Sequence, residues 1–464
     1  MITKQLNKSF TASHTLMLAV FVSAMLLGRP ARSQADVVLS SRWFHPKDDR
    51  DTLSTIKIAK AFNVTRIDWM YCNNKTQLQQ LQQLNIPYSL AINPQTPDSA
   101  GYTTAKTRIL DINGNPLVAP WMKKWKVKNP YWGCVNNPLF KETFYTQTKN
   151  IVDLGAYGVF VDDARFNDHA AEWGGCYCDY CMTAFNKYLE SKNESLSGAS
   201  NYREFLKTSG ANAGSPLVAQ LKKEFRQFQS QSVVNFLTTW KADLSAYAKR
   251  PFKFLTNNYN GNWDSPIYKV FDGGIAEIPS NKELTTGKIG GIVKKATAFG
   301  KTQVFSYASD NMTANAKFII QAYLAGSAAI IPWDALVSSN VENNYSQRYY
   351  ANTDQYLKLF DFISGHPGLF KNTISTKEAA ALNLASSSEY ITELRRDKTG
   401  TYLFICAPDS IRQAGDISSP VTFKNISGAP LSMFDDITPC RIMKSDNGNW
   451  NVNTAFAILK IKPR

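Results

Sequence analysis

Histidine is scarce in this sequence, with four residues among 464. Catalytic triads and most hydrolytic metal centres rely on imidazole, so both are disfavoured here. The G-x-S-x-G motif of hydrolases with a serine nucleophile is absent. No glycine-rich phosphate loop opens the chain, and no nucleic-acid-binding motif accompanies its basic residues. We therefore expect neither an organic cofactor nor a nucleic-acid partner.

Long apolar runs are also lacking, apart from one near the start. Lys4 and Lys8 precede the run Thr15–Gly28, and Ser33-Gln34-Ala35 offers small residues suited to cleavage. The run is short for a membrane span, and this arrangement is typical of a secretory signal. The sequence thus predicts a signal peptide over residues 1–35, a secreted or periplasmic protein, and no membrane attachment after cleavage. An uncleaved anchor is the alternative.

The charge balance is strongly basic, with a formal net charge of +15. The basic residues are scattered, except for the cluster within 123–128, KKWKVK. A basic exported protein suits an anionic polysaccharide or other cell-surface material. An ordinary solvated basic surface explains the same charge.

Strand-like and helix-like segments alternate between residues 36 and 372. The eight strand-like runs are Val37–Leu39, Val64–Tyr71, Pro87–Asn93, Gly158–Val161, Phe252–Asn257, Gly273–Ile278, Thr302–Tyr307 and Ala328–Trp333. This alternation predicts an α/β fold, a (β/α)8 TIM barrel that forms a catalytic domain; a doubly wound sheet is the alternative. Ser191–Pro216 has the composition of an insertion. Residues 373–464 read as a small antiparallel, β-sandwich-like domain.

Two carboxylates are predicted at the barrel mouth. The fourth strand ends in Asp162 and Asp163, and Glu277 occupies the matching position on the sixth. Barrel enzymes place catalytic groups at the carboxyl ends of strands, and glycoside hydrolysis needs two facing carboxylates. We therefore predict Asp162, Glu277 and Asp163 as catalytic residues, with Asp272 and Asp310 as competitors for the role of the acid.

Other polar and aromatic residues also fall near predicted strand ends, where they would face a substrate. The predicted substrate-binding residues are Arg42, His45, Asp68, Trp69, Tyr71, Asn93, Asn257, Asn258, Asp310, Trp333 and Asp334.

Four of the seven cysteines suggest a metal site. Cys176, Cys178 and Cys181 have the spacing C-x-C-x-x-C, and Cys134 lies on the preceding long loop. Four thiolates suit a closed, structural zinc site, and such a site would tie the two loops together beside the acids. The alternative is a disulfide within the triplet plus a free thiol, which an oxidising compartment favours.

The segment CYCDYCMTAFNKYL, with Cys134 some forty residues earlier, resembles the cysteine region of glycoside hydrolase family 42 β-galactosidases. The resemblance implies a structural zinc on Cys134, Cys176, Cys178 and Cys181, and a barrel that hydrolyses glycosides. The catalytic pair does not carry over. That family has Asn-Glu after its fourth strand and a Glu on its seventh, whereas this chain has Asp162-Asp163 and no Glu in TQVFSYASD.

The sequence therefore predicts a secreted glycoside hydrolase that acts on a polysaccharide or oligosaccharide. Two other readings remain: a non-catalytic carbohydrate-binding or cell-envelope protein on a barrel scaffold, and a polysaccharide deacetylase. The lack of a His/Asp metal set argues against the deacetylase.

Overall fold

The computed structural model describes residues 35–40, 54–96, 107–124, 130–194, 196, 198–209, 215–278, 286–307, 309, 311–336, 348–350, 354–371, 380–386, 390–407 and 420–464. Residues 1–34 of the predicted signal peptide lie outside them. The predicted domain boundary at residue 372 does so too.

Eight parallel strands form a barrel, in the order of the sequence. They are β1 (Val38–Ser40), β2 (Arg66–Met70), β3 (Tyr88–Ile92), β4 (Gly158–Val161), β5 (Lys253–Asn257), β6 (Gly273–Glu277), β7 (Thr302–Ser306) and β8 (Ala328–Ala329). Ile330 pairs with Val38 and thereby brings the last strand back to the first. This confirms the predicted (β/α)8 fold.

Helices connect the strands. The helices of this part are α1 (Thr55–Ala61), α2 (Lys75–Gln83), α3 (Pro138–Asp153), α4 (Phe166–Ala170), α5 (Asp179–Glu190), α6 (Tyr202–Ser209), α7 (Pro216–Ala248), α8 (Thr286–Ala298) and α9 (Met312–Leu324). Several start where a side chain accepts a bond from the first turn, as Asn74 does from Gln77 N and Asn137 from Leu139 N. Pro138 then occupies the first turn of α3, where its missing N–H is not needed.

The long connections around β4 have a hydrophobic core of their own. It contains the four cysteines of the predicted metal site and Trp132, and it includes Phe185 of α5 and Phe225 of α7. The predicted insertion Ser191–Pro216 contributes as well: it contains α6, whose Tyr202 is buried in this core. We call this part of the molecule the loop core, as distinct from the barrel core.

The eighth predicted strand, Ala328–Trp333, is divided in the structure. Ala328–Ala329 pairs with β7 and Ile330 with Val38, whereas β9 (Trp333–Leu336) forms an antiparallel pair with β10 (Arg348–Tyr350). Helix α10 (Asp354–Gly365) follows and packs on the barrel, with Phe360 edge-on to Phe62.

Two antiparallel sheets make up the C-terminal part. One has the order β11-β12-β17-β14 and the other β13-β16-β15. Their strands are β11 (Ile391–Asp397), β12 (Gly400–Cys406), β13 (Val421–Phe423), β14 (Leu431–Ser432), β15 (Arg441–Lys444), β16 (Trp450–Asn453) and β17 (Phe456–Ile461).

Strand β12 shows how these sheets are attached. Its side chains alternate: Tyr402 and Phe404 join the barrel core, while Leu403 and Ile405 join the core between the two sheets. The predicted small antiparallel β domain is therefore confirmed, and one of its sheets is buried on both faces. Among the described helices, none combines the length and apolar character that a membrane crossing requires.

Candidate active site and cysteine cluster

Asp162 and Glu277 lie together at the mouth of the barrel. Asp162 follows β4, Glu277 ends β6, and Asn257 ends β5 between them. The side-chain nitrogen of Asn257 donates to Glu277 Oε2 at 2.9 Å and lies 3.4 Å from Asp162 Oδ1. An amide nitrogen carries two protons, one for each carboxylate. The structure thus brings together the two acids that the sequence pairs.

Asp162 accepts further hydrogen bonds. Tyr71 donates its hydroxyl proton to Asp162 Oδ2 at 3.2 Å, and the backbone N–H of Asp163 donates to Oδ1 at 3.0 Å. Asn93 in turn donates to the Tyr71 hydroxyl at 3.2 Å. Three of the predicted substrate-binding residues, Tyr71, Asn93 and Asn257, therefore surround this carboxylate.

Tyr71 keeps its proton at any ordinary pH. Burial raises the pKa of its hydroxyl well above the usual value, and the neighbouring charge of Asp162 raises it further. The hydroxyl is therefore a permanent donor, and a donor stabilises the ionised form of Asp162.

Asp163 points to a different partner. Its backbone is left-handed, with φ 52°, a conformation that non-glycine residues adopt at a cost of about 1 kcal/mol or more. Its Oδ1 accepts a hydrogen bond of 2.5 Å from the Tyr259 hydroxyl. Arg165, two residues further along, pairs with Asp168 and Glu172, at 2.6 Å each.

Tyr259 also fixes the orientation of Asn257. The backbone N–H of Tyr259 donates to Asn257 Oδ1 at 2.9 Å. The amide oxygen is thereby turned away from the acids, and the nitrogen must face them. Burial raises the pKa of the Tyr259 hydroxyl far above its usual range, and the nearby Asp163 adds to the rise.

A group of aromatic rings continues from Tyr259. The Tyr259 hydroxyl lies 3.4 Å from His169 Nδ1, and the His169 ring contacts Trp121 and Trp173, with centroids 5.1 and 4.7 Å away. Trp132 is buried beneath them, 4.8 Å from Trp173. Burial, together with the positive charge of Arg165, lowers the pKa of His169 to about 4, so its imidazole is neutral near pH 7. We call Trp121, Trp132, Trp173 and His169 the aromatic cluster.

Asp68 and Trp69 do not lie where the sequence predicts. Asp68 is buried and is bonded to Arg66, Ser89 and Tyr157, which stand at or near the amino ends of their strands. Trp69 is buried too, stacked on Phe160 with centroids 4.8 Å apart. The reason is a register shift between Ile67 and Met70, where Trp69 has φ 58°. Both predicted substrate contacts are therefore wrong.

Asn258 and Asp272 are also structural. Asn258 is buried and donates to Gln303 Oε1 at 3.0 Å, and the same oxygen accepts from Trp263 Nε1 at 2.6 Å. Asp272 precedes β6, at the opposite end of the strand from Glu277, and pairs with Lys241 Nζ at 2.6 Å. The prediction for Asn258 is wrong, and Asp272 does not compete with Glu277.

The remaining predicted residues are described in part or not at all. Arg42, His45 and Asp310 lie outside the described residues. The backbone of Trp333 and Asp334 belongs to β9, beyond the barrel strand that was expected to carry them.

The four cysteines form a compact, buried cluster. The sulfurs of Cys134, Cys176, Cys178 and Cys181 all lie within 4.8 Å of one another. Cys134 Sγ is 3.6 Å from Cys178 Sγ and 3.4 Å from Cys181 Sγ. Four sulfurs held tetrahedrally at 2.3 Å from a zinc ion would be about 3.8 Å apart, whereas disulfide sulfurs are about 2.05 Å apart. The geometry fits a metal ion rather than a disulfide.

The surroundings of the cluster also fit a cation. Asn167 Nδ2 lies 3.3 Å from Cys134 Sγ and 3.4 Å from Cys181 Sγ, and Asn136 Nδ2 donates to Cys181 Sγ at 3.3 Å. Amide donors of this kind stabilise metal-bound thiolates. Burial raises the pKa of Cys176 and Cys181 above the usual value, and a bound cation would offset that cost of ionisation. The four cysteines are therefore a candidate metal site.

Sequence reasoning missed Tyr259, His169 and the aromatic cluster. Their signal was weak but present: the third loop is rich in tryptophan, with Trp121, Trp125 and Trp132 within twelve residues. Nothing in the sequence related these rings to Trp173 or to Asp163, because the contact depends on how two long loops fold against each other.

Known proteins resemble this chain in structure only. Eubacterium rectale Amy13B superposes with a TM-score of 0.51 over 93% of this chain and 96% of that chain, at 8% sequence identity. The alpha-L-fucosidase isoenzyme 2 from Paenibacillus thiaminolyticus gives 0.45 over 77% and 51%, at 11% identity, and the alpha-amylase from H. orenii gives 0.42 over 92% and 99%, also at 11%. No model of a protein family matches the sequence, and no curated protein matches it.

The superposition on Eubacterium rectale Amy13B is a likeness of fold alone. The class that the fold and the site define is a (β/α)8 barrel protein with two carboxylates joined by an asparagine at its mouth. The similarity of the cysteine region to glycoside hydrolase family 42 stays a prediction.

Proposed function

We propose that this protein is a glycoside hydrolase whose reacting groups are Asp162 and Glu277. The observation that carries the proposal is the placement of both carboxylates, at 3.4 and 2.9 Å, around the single nitrogen of Asn257 at the carboxyl end of the barrel. Two facing carboxylates are the chemical requirement of most glycosidases. The barrel mouth is also where enzymes of this fold carry out their chemistry.

The distances favour a mechanism with retention of configuration. Two oxygens that lie 2.9 and 3.4 Å from one nitrogen cannot be as far apart as about 6.5 Å, the shortest separation usual for inverting enzymes. There is accordingly little room for a water molecule between one carboxylate and the sugar.

In the first step, Asp162 attacks the anomeric carbon while Glu277 gives its proton to the departing glycosidic oxygen. The bond to the leaving group breaks, and a covalent glycosyl ester forms on Asp162. In the second step, Glu277 removes a proton from water, the water attacks the anomeric carbon, and the ester bond to Asp162 breaks. Glu277 ends protonated, and Asp162 ends ionised, as both began.

The neighbouring residues have positioning roles. Tyr71 and the N–H of Asp163 hold Asp162 ionised and fix its direction of attack. Asn257 holds the two carboxylates at a constant separation, because the backbone N–H of Tyr259 fixes the orientation of the Asn257 amide. A displacement of about 1 Å in such groups typically costs two orders of magnitude in rate.

The cysteine cluster, in this proposal, holds a structural zinc ion. All four ligand positions are provided by Cys134, Cys176, Cys178 and Cys181, which is the donor set of closed structural sites. The ion would supply a cross-link between the two loops beside the acids, and the chemistry on the sugar would remain with the carboxylates.

The sequence supports a proposal for the substrate and for the location. We propose a polysaccharide or oligosaccharide as the substrate. We also propose a secreted or periplasmic location, because residues 1–35 have the features of a signal peptide. The basic net charge is compatible with cell-surface material.

The test is a screen of the protein, lacking residues 1–35, against a library of glycans, in which both hydrolysis and binding are measured. We expect hydrolysis of at least one glycan, and proton NMR of the first product should show the anomeric configuration of the substrate. Binding without any hydrolysis would instead support a non-catalytic carbohydrate-binding protein. Inversion of the anomeric configuration would refute the nucleophilic role of Asp162.

A further inference from the structure

The aromatic cluster lies beside the proposed reaction centre and has no role in the two-step chemistry. It combines three tryptophans and a neutral histidine, and a chain of two contacts connects it to the acids. His169 Nδ1 is 3.4 Å from the Tyr259 hydroxyl, and that hydroxyl is 2.5 Å from Asp163 Oδ1. Asp163 is covalently adjacent to Asp162, so this chain of contacts ends next to the proposed nucleophile.

The rings are arranged as a supported platform. Trp132 is 1% exposed and forms the base. Trp121 and Trp173 stand on it at 71° and 72° and meet each other edge to face, with centroids 5.0 Å apart. Both are only partly buried, so part of each ring remains accessible to solvent. Edge-to-face packing fixes the ring planes, so a ligand does not have to order them.

A purely structural role explains Trp132 better than it explains the other two. Trp132 is a buried member of the loop core, whereas Trp121 and Trp173 lie at its margin. Tryptophan has a large apolar surface, and its full burial would stabilise the folded protein. Two neighbouring rings that stay partly exposed do not provide that stabilisation. Accessible rings beside a candidate reaction centre are typical of ligand pockets.

The polar groups around the rings fit the edge of a sugar. A pyranose presents C–H groups on its faces and hydroxyl groups around its edge. A tryptophan ring has a negative π-face, which attracts such C–H groups. Hydrogen-bonding groups stand at the margin of the same rings: His169 Nδ1 beside the Tyr259 hydroxyl, and Glu172, whose Oε2 is 3.8 Å from His169 Nε2.

From this arrangement we propose that Trp121 and Trp173 form a binding subsite for a second pyranose residue, next to the residue attacked by Asp162. The inference rests on the proposed function and makes it more specific. The substrate class is a chain of at least two pyranose residues, and a single sugar carrying a small leaving group does not engage the subsite.

The test measures binding and hydrolysis with Trp121→Ala and Trp173→Ala. The probes are maltohexaose, cellohexaose, mannohexaose and chitohexaose, together with the 4-nitrophenyl glycosides of their monosaccharides. Binding is measured by calorimetry in the Asp162→Asn background. Trp450→Ala is the matched control, because Trp450 is also partly buried but lies in β16 of the C-terminal sheets.

We expect the protein to bind at least one hexasaccharide, and each of the two variants to weaken that binding at least tenfold, while Trp450→Ala leaves it unchanged. In the Asp162-containing protein, kcat/KM for that hexasaccharide should fall by a similar factor, and kcat/KM for the 4-nitrophenyl glycoside should not change. Normal hexasaccharide binding by both tryptophan variants would overturn the subsite, as would the absence of binding to all four probes.

The two proposals fail separately in this experiment. Loss of hydrolysis in Asp162→Asn with normal binding by the tryptophan variants refutes only the subsite. Weakened binding by the tryptophan variants with full hydrolysis in Asp162→Asn refutes only the assignment of the nucleophile.

Discussion

Asn257 donates a hydrogen bond to Glu277 from the end of the neighbouring strand, with 2.9 Å between Asn257 Nδ2 and Glu277 Oε2. The same nitrogen lies 3.4 Å from Asp162 Oδ1. One neutral donor therefore bridges the two acidic groups, and it sets the distance between them. This relationship makes Asn257 the most informative residue for testing how the two acids work as a pair.

Asn257→Asp should shift the pH dependence of hydrolysis. The variant places a third carboxylate beside Glu277, and a nearby like charge raises the pKa of a carboxyl group. We expect both limbs of the pH–rate profile to move to higher pH and kcat to fall at least tenfold. The control is Asn235→Asp on the exposed face of α7, which should leave the profile unchanged. A fall in kcat with an unshifted profile would mean that Asn257 supports the fold and does not act on the acids.

Tyr259→Phe should reduce kcat without unfolding the protein. The variant loses the 2.5 Å hydrogen bond to Asp163, and a hydrogen bond to a charged group contributes about 2 kcal/mol. If that bond orients the acids, kcat should fall about tenfold or more. Tyr247→Phe is the matched control, since it loses bonds to the exposed Asp153 on the outside of the barrel. Equal kcat in the two variants would exclude the positioning role of Tyr259.

The purified protein should contain one zinc ion per chain, bound by the cysteine cluster. Cys178→Ser should lose the metal and melt at a lower temperature, whereas Cys72→Ser, which changes a thiol outside the cluster, should retain both properties. Hydrogen exchange should rise in residues 130–137 and 162–190 and stay constant in β5–β7, because the loop core and the barrel core are separate. Mass spectrometry that finds disulfides among the four cysteines, with no zinc, would contradict this prediction.

The stability of the loop core should fall in acid because of His169. Burial, followed by the charge of Arg165, lowers the pKa of His169 from 6.5 to about 4. Between these values the unfolded chain binds a proton that the folded chain does not, so this stability is complete above about pH 6.5 and is lost as the pH falls towards 4. The loss is on the order of 3 kcal/mol. Urea unfolding at pH 7 and pH 4.5 should show a smaller difference in His169→Gln than in the wild type; identical differences would contradict the assignment.

Much of the barrel was predictable because its strands have regular patterns. Apolar runs that alternate with helical segments predict the barrel, and strand alternation places Asp162 and Glu277 on the same side of it. The same alternation places Asn257, the last residue of β5, at this end of the barrel. Residues at regular strand ends are thus within reach of sequence reasoning.

The site residues that were predicted wrongly or missed lie where the backbone is irregular or where distant segments meet. Trp69 takes φ 58° where the register of β2 shifts, and Asp68 and Trp69 are then buried. Asn258 follows β5 immediately, yet its side chain bonds to Gln303 of β7. The aromatic cluster joins residues from two long loops without periodicity. The spacing of apolar residues in a sequence does not reveal a one-residue shift of register or a long-range contact between loops.

The most direct test of the account is the turnover of Asp162→Asn on a glycan that the wild type hydrolyses. Asp264→Asn is the control, because Asp264 is exposed and pairs with Lys295 outside the mouth. The account predicts that kcat of Asp162→Asn falls at least about a thousandfold with an unchanged melting temperature, while Asp264→Asn retains wild-type turnover. Near-normal kcat in Asp162→Asn would contradict the central claim that this carboxylate attacks the sugar.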